Sequence, residues 1–238
     1  MEIAVMLAVT FGVSAMVALL RLADAVLSGL PGYRVQLNQN LSRYDLINLG
    51  LNLVSIGQLV AWGLLALYLL WRSGIGPAQI GLGRLRWPGD LVGGLGLAAL
   101  IGLPGLGLYL VARMLGMNAE VEPTSLASSW WRIPVLVLAA FANGFAEEVV
   151  VVGYLITRLR QVGLTPVQAV LASAALRGLY HAYQGFGAGL GNLAMGLVFG
   201  YAWYRWRRLW PLVIAHGVIN SVAFVGYIVL AGHLSWLR

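Results

Sequence analysis

The chain has 238 residues, 60% of them hydrophobic and only 10% charged, with a mean hydropathy of +0.83. Soluble domains carry about 25% charged residues, so composition excludes one and implies a polytopic membrane protein. The net charge of +7 comes from 15 arginines and no lysine, scattered between apolar runs with no basic stripe, which argues against a nucleic-acid partner.

Lipid leaves backbone polar groups no partners but each other, so only helices or closed barrels cross it. The apolar runs here are long and continuous, unlike the alternating segments of about ten residues in a barrel. The expected fold is therefore all-α, a bundle of seven or eight transmembrane helices. A span needs about 20 apolar residues. Runs that meet or approach this occur at 4–28, 47–71, 90–115, 133–157, 166–186, 189–204 and 210–231, the sixth being short. The first run has no basic start and no small-residue cleavage site, so it reads as a retained span. Pro31-Gly32 opens the first connection. Gly74, Gly76 and Pro77 break the second, 72–89, which has room for a re-entrant or interfacial helix. Pro123 marks the third. Trp130, Trp131, Tyr204, Trp206 and Trp210 sit beside arginines at span ends, as interfacial anchors do. Arg21 and Asp24 read as an i, i+3 pair near the end of the first span.

Arginine counts set the expected orientation. Arg72, Arg84, Arg86, Arg158, Arg160, Arg205, Arg207 and Arg208 fall on even-numbered connections. The odd ones carry Arg34, Arg43, Arg113 and Arg132, diluted by Asp45, Glu120 and Glu122. The even connections and the N-terminus are thus expected in the cytoplasm and the C-terminus outside, with an eighth span moving the latter. The arginine-only usage points to high-GC coding and a bacterial cytoplasmic membrane. The absence of cysteine excludes disulfides, thiolate metal sites and a cysteine nucleophile.

Polar residues at membrane depth gather between Asn143 and Asn220. This divides the chain into an N-terminal scaffold, 1–125, and a core, 126–238, that carries the site, all within one membrane domain. Glu147 and Glu148 lie in a run from Ile133 to Thr157 that holds no other charge. A buried carboxylate in lipid costs several kcal/mol, and intramembrane ionisable groups mark function by default. Adjacent helical residues differ by about 100° in direction, so one glutamate serves a reaction while the other holds a neighbour. Arg177 and His181 are i, i+4 on the fifth span, with Tyr180 between them and Gln184 three residues on; His216 and Asn220 are i, i+4 on the seventh. Two histidines, a carboxylate and an amide suffice for water activation and oxyanion stabilisation. The set Glu147, His181 and His216 would equally satisfy a divalent metal such as zinc. Asn143, four residues before Glu147, shares its face and can donate to it. Gly196 to Gly200 is a GxxxG helix-packing notch. The glycines of 185–191 follow no strand, so they read as a break between spans rather than a phosphate loop, with Asn192 lining the cavity.

These residues resemble the CPBP family of intramembrane peptidases, the CAAX-protease and bacteriocin-processing (Abi) group. Its pattern is Glu-Glu-x-x-x-Arg, then Phe-x-x-x-His, then His-x-x-x-Asn or Asp. Here the counterparts are FAEEVVVVGYLITRLR around Glu147-Glu148, RGLYH ending at His181, and HGVIN from His216 to Asn220, after Trp210-Pro211. The resemblance covers about residues 130–230. It implies that Glu147 activates water, Glu148 orients it or holds an arginine, His181 helps to place it, and His216 and Asn220 stabilise the oxyanion. Val152 stands where the family has arginine, and Arg177 where it has phenylalanine. A guanidinium moved to the neighbouring helix would still reach the glutamates. The family has been described both with and without metal; Asn and Arg at the site favour a metal-independent scheme.

The function expected is an intramembrane endopeptidase acting on a membrane-associated or lipid-modified peptide. The alternative is a non-catalytic membrane protein on the same scaffold, an immunity factor or partner-binding protein. A proton-coupled transporter fits less well, since the halves of the chain do not mirror each other.

Overall fold

A computed structural model describes residues 1–230; the end of the seventh expected run and the C-terminus whose side was inferred lie outside them. Among the described residues, eight helices make up the bundle when the continuous helix through the glutamates is taken as one. They begin with α1 (Glu2–Ala8), α2 (Phe11–Ser28), α3 (Asp45–Arg72) and α4 (Gly89–Met114). The helix 132–161 comprises α5 (Arg132–Glu147), a π-helical stretch Glu148–Tyr154 and α6 (Leu155–Gln161). Then come α7 (Pro166–His181), α8 (Phe186–Trp206) and α9 (Trp210–Leu230).

Five of these are long and apolar enough to cross a membrane: Phe11–Ser28, Asp45–Arg72, Gly89–Met114, Arg132–Gln161 and Trp210–Leu230. The chain is a multi-pass integral membrane protein. Of the two other expected spans, α7 has only 16 residues, short for a bilayer, and α8 has 21 but is less apolar. The first expected run is broken at Val9-Thr10, where the Thr10 hydroxyl donates to the Met6 carbonyl at 2.7 Å. Between α3 and α4 there is only a 3₁₀ turn, Pro77–Ile80, in place of a re-entrant helix.

The all-α expectation needs one addition. β1 (Arg34–Asn38) and β2 (Glu120–Thr124) form a two-stranded parallel ladder, Arg34 opposite Glu120 and Asn38 opposite Thr124. The strands belong to the first and third connections, so each is too short and too polar to stand out from a loop by pattern.

The connections form two layers at opposite ends of the bundle. One holds β1, β2 and the break between α7 and α8, where the Phe186 amide donates to the Met117 carbonyl and the Ala119 amide to the Gln184 carbonyl. The other is tied by arginines. Arg208 pairs with Asp90 and donates to the Arg84 carbonyl, and Asp90 also accepts from the Arg86 amide. Arg158 reaches Glu2, Ser73, Gln161 and the Leu69 carbonyl, and its guanidinium lies over the Tyr154 ring. Charges read from sequence as orientation signals thus also clasp neighbouring connections.

Two smaller expectations change. Trp130, Tyr204 and Trp206 are exposed as anchors should be, but Trp131 is buried at 2% exposure, its indole N–H donating to Asp45. Asp24 accepts from the Tyr33 hydroxyl at 3.0 Å and forms no ion pair with Arg21. That hydrogen bond raises the phenol's pKa above its usual value.

Candidate active site

The site is built around the middle of the helix 132–161. Four successive valines, 149–152, and Gly153 are weak α-helix formers, and the helix widens there into its π-helical stretch. Such bulges recur at functional sites. They also leave a carbonyl without its usual partner, and the buried Ser173 hydroxyl on α7 donates to the Val151 carbonyl at 2.7 Å. Every residue from Glu147 to Tyr154 is buried.

The two glutamates divide their partners. Glu147 Oε1 accepts from the Asn143 amide at 2.9 Å, and its Oε2 from the Tyr180 hydroxyl at 2.5 Å. His181 Nε2 stands 4.0 Å from Glu147 Oε1. Its Nδ1 is 3.1 Å from the Arg177 carbonyl, which can only accept, so Nδ1 carries a proton, and in a neutral ring the Nε2 lone pair faces Glu147. Glu148 Oε1 takes the Arg177 Nη2 and His216 Nδ1, each at 2.7 Å. Glu148 Oε2 is buried without a hydrogen-bond partner among the described residues.

Arg177 is fully buried between the carboxylates, 2.7 Å from Glu148 and 3.7 Å from Glu147, with its guanidinium over the Phe199 ring at 5.7 Å. Two close helix approaches permit this. On α8, a Cβ at Gly196 would lie 2.8 Å from Ala174 Cα, and one at Gly200 2.8 Å from Val170, so the GxxxG notch seats α8 on α7 beside Arg177. On α5, a Cβ at Gly144 would fall 3.0 Å from the Gly217 nitrogen, so the backbone there lets α9 bring His216 to Glu148.

The structure therefore gathers Glu147, Glu148, Asn143, Arg177, Tyr180, His181 and His216 into one cluster. Asn220 lies one turn beyond His216, half-buried, with no hydrogen bond among the described residues. Gln184 and Asn192 are not drawn in: Gln184 donates to the Tyr183 hydroxyl and Asn192 to the Ala188 carbonyl. Ser173 and Phe199 were not anticipated. Ser173 lies four residues before Arg177 and so shares its face, a readable signal. Phe11, whose ring is 4.9 Å from that of Tyr180, comes from a helix with no sequence cue at all.

Among the described residues, no three His, Asp or Glu side chains converge to hold a metal ion. Glu147 accepts from Asn143 and Tyr180 and His216 Nδ1 is engaged by Glu148, so a metal at Glu147, His181 and His216 would share Glu147 with those donors and take His216 through Nε2.

Residues 129–222 match the family model of the Rce1-like type II CAAX prenyl endopeptidases. The clustered residues all fall inside that segment. No curated protein and no solved structure matches the chain. Residues 129–222 of this membrane protein thus match the CPBP, or CAAX-protease, family.

Proposed function

We propose that the protein is an intramembrane endopeptidase that hydrolyses a peptide bond of a membrane-associated or lipid-modified substrate with water activated by Glu147. The observation that carries this reading is the 4.0 Å separation of Glu147 Oε1 and His181 Nε2, both acceptors, in a site otherwise closed by protein. A water donating one hydrogen bond of about 2.8 Å to each spans that gap. Its oxygen attacks the scissile carbonyl carbon as a proton passes to Glu147. In its doubly protonated form, with Nδ1–H donated to Glu148, His216 offers Nε2–H to the tetrahedral oxyanion beside the Asn220 amide. Collapse breaks the C–N bond, and Glu147 returns its proton to the leaving amine. Asn143 and Tyr180 orient Glu147, and Arg177 offsets part of the charge of the pair. No metal takes part in this scheme. The first 125 residues serve as scaffold, with α1 and α2 bracing the core through Glu2 and Phe11.

The test compares peptide ends in membranes from cells with wild type and Glu147→Gln at matched levels. The amide keeps the shape and cannot take the proton, and loss of a general base lowers the rate by about a hundred- to ten-thousandfold. Peptide ends that disappear only in the variant support the reading and name the substrate; identical profiles would refute it.

We place the protein in a bacterial cytoplasmic membrane with its N-terminus and even-numbered connections in the cytoplasm. Since the chain has no cysteine, single introduced ones report unambiguously. Gln39→Cys, beside β1, should react with an impermeant maleimide in intact cells, and Val162→Cys, after α6, only after permeabilisation. The reverse pattern inverts the orientation.

A further inference from the structure

Arg21 interrupts an apolar helix without a protein acceptor. It lies on α2 about two turns before the end at Ser28, beside Leu19 and Leu20, which are exposed to the bilayer. Its guanidinium makes no hydrogen bond or ion pair among the described residues, and the one acid within a turn, Asp24, is bonded to Tyr33. A cation on a lipid-facing helix costs several kcal/mol unless it reaches water or an anion, and a long side chain does so by extending toward the headgroups.

The helix end supplies such a place. A cavity of about 310 Å³ is lined by Arg21, Tyr33, Arg34, Gln36 and Tyr183 among others. Arg34 is 72% exposed and only loosely paired with Glu120, at 3.3 Å. The Tyr183 hydroxyl accepts from Gln184 and so keeps its own proton to donate. Two guanidinium groups and a phenol thus line one opening at the lipid-facing end of the bundle. We propose that this cavity binds the phosphate of an anionic phospholipid headgroup, with Arg21 as its principal ligand and Arg34 and Tyr183 completing the contact. The acyl chains would lie along the exposed leucines of α2. Because Tyr183 is two residues beyond His181, the bound lipid would border the proposed site.

Native mass spectrometry of the full chain from bilayers mixing phosphatidylglycerol and phosphatidylcholine tests this. Wild type should retain phosphatidylglycerol preferentially, Arg21→Lys should keep that preference, and Arg21→Gln should weaken it about fivefold, the value of one basic residue near an anionic surface. Should Arg21→Gln fail to fold, Arg34→Gln gives the same readout. Retention unchanged in a folded Gln variant overturns the proposal. Displacement of the lipid by inorganic phosphate would assign the cavity to a free anion and overturn it as well.

Discussion

Helices α3, α4 and the helix 132–161 have nearly the same mean hydropathy over their best windows, 2.0, 2.0 and 1.9. Yet 22% and 17% of the first two windows is buried within the protein, against 67% of the third. Hydropathy reports that a helix prefers lipid or protein to water; it does not distinguish the two. The difference lies in what else the helix carries. On α3 and α4 the charged side chains, Asp45, Arg72, Asp90 and Arg113, lie at the ends, where loops and headgroups satisfy them. On the helix 132–161 two carboxylates sit at the centre, and only protein can supply donors there. Its burial follows from that need: α7 brings Arg177, Tyr180 and Ser173, and α9 brings His216.

The sharpest way to break this contrast is to remove the shared counter-ion. Arg177→Met leaves two buried carboxylates facing each other, and breaking a buried ion pair costs about 3–5 kcal/mol. Unfolding in detergent should show a loss of that size; a shift near zero would mean that the glutamates are held by their other donors alone. Arg177→Phe should inactivate the protein, and Val152→Arg added to it should restore activity. An inactive double variant would show that the guanidinium on α7 does not replace the one the family places four residues after the second glutamate.

A smaller effect is expected where small residues let the helices approach. Gly196→Leu drives a side chain into Ala174 and toward Arg177, and overpacking costs about 1–3 kcal/mol. The same unfolding measurement should report it. Leu64→Ala on α3 should do least: that side chain is 54% exposed, and substitutions away from packed features stay within about 0.5 kcal/mol. A large loss there would show that α3 is packed against a partner rather than lipid.

Much of the site was legible because it depends on helical period. The i, i+4 relations Asn143–Glu147, Arg177–His181 and His216–Asn220 follow from composition and spacing, and the first appears as a 2.9 Å hydrogen bond. The divergence of adjacent glutamates likewise follows from helix geometry, and they do take separate partners apart from Arg177, which touches both. The same spacing groups Gln184 with these residues, but α7 ends at His181 and the turn after it redirects the side chain. Trp131 shows the opposite failure: a tryptophan beside an arginine reads as an interfacial anchor, yet Asp45, 86 residues earlier, draws it inward.

The sequence alone determined that the chain lives in a bilayer, that its spans are helices, and that its intramembrane polar groups lie on three segments of the second half. Composition and period are local quantities and need no partner to be read. Only the tertiary structure decided which helices are wrapped by protein and that Arg177 stands between both glutamates. It alone revealed the parallel strands joining two distant connections and the π-helical stretch under the site. Each depends on residues far apart in the chain meeting at a few ångströms. Where backbones can approach that closely is set by how small side chains such as Gly144, Gly196 and Gly217 let whole helices pack.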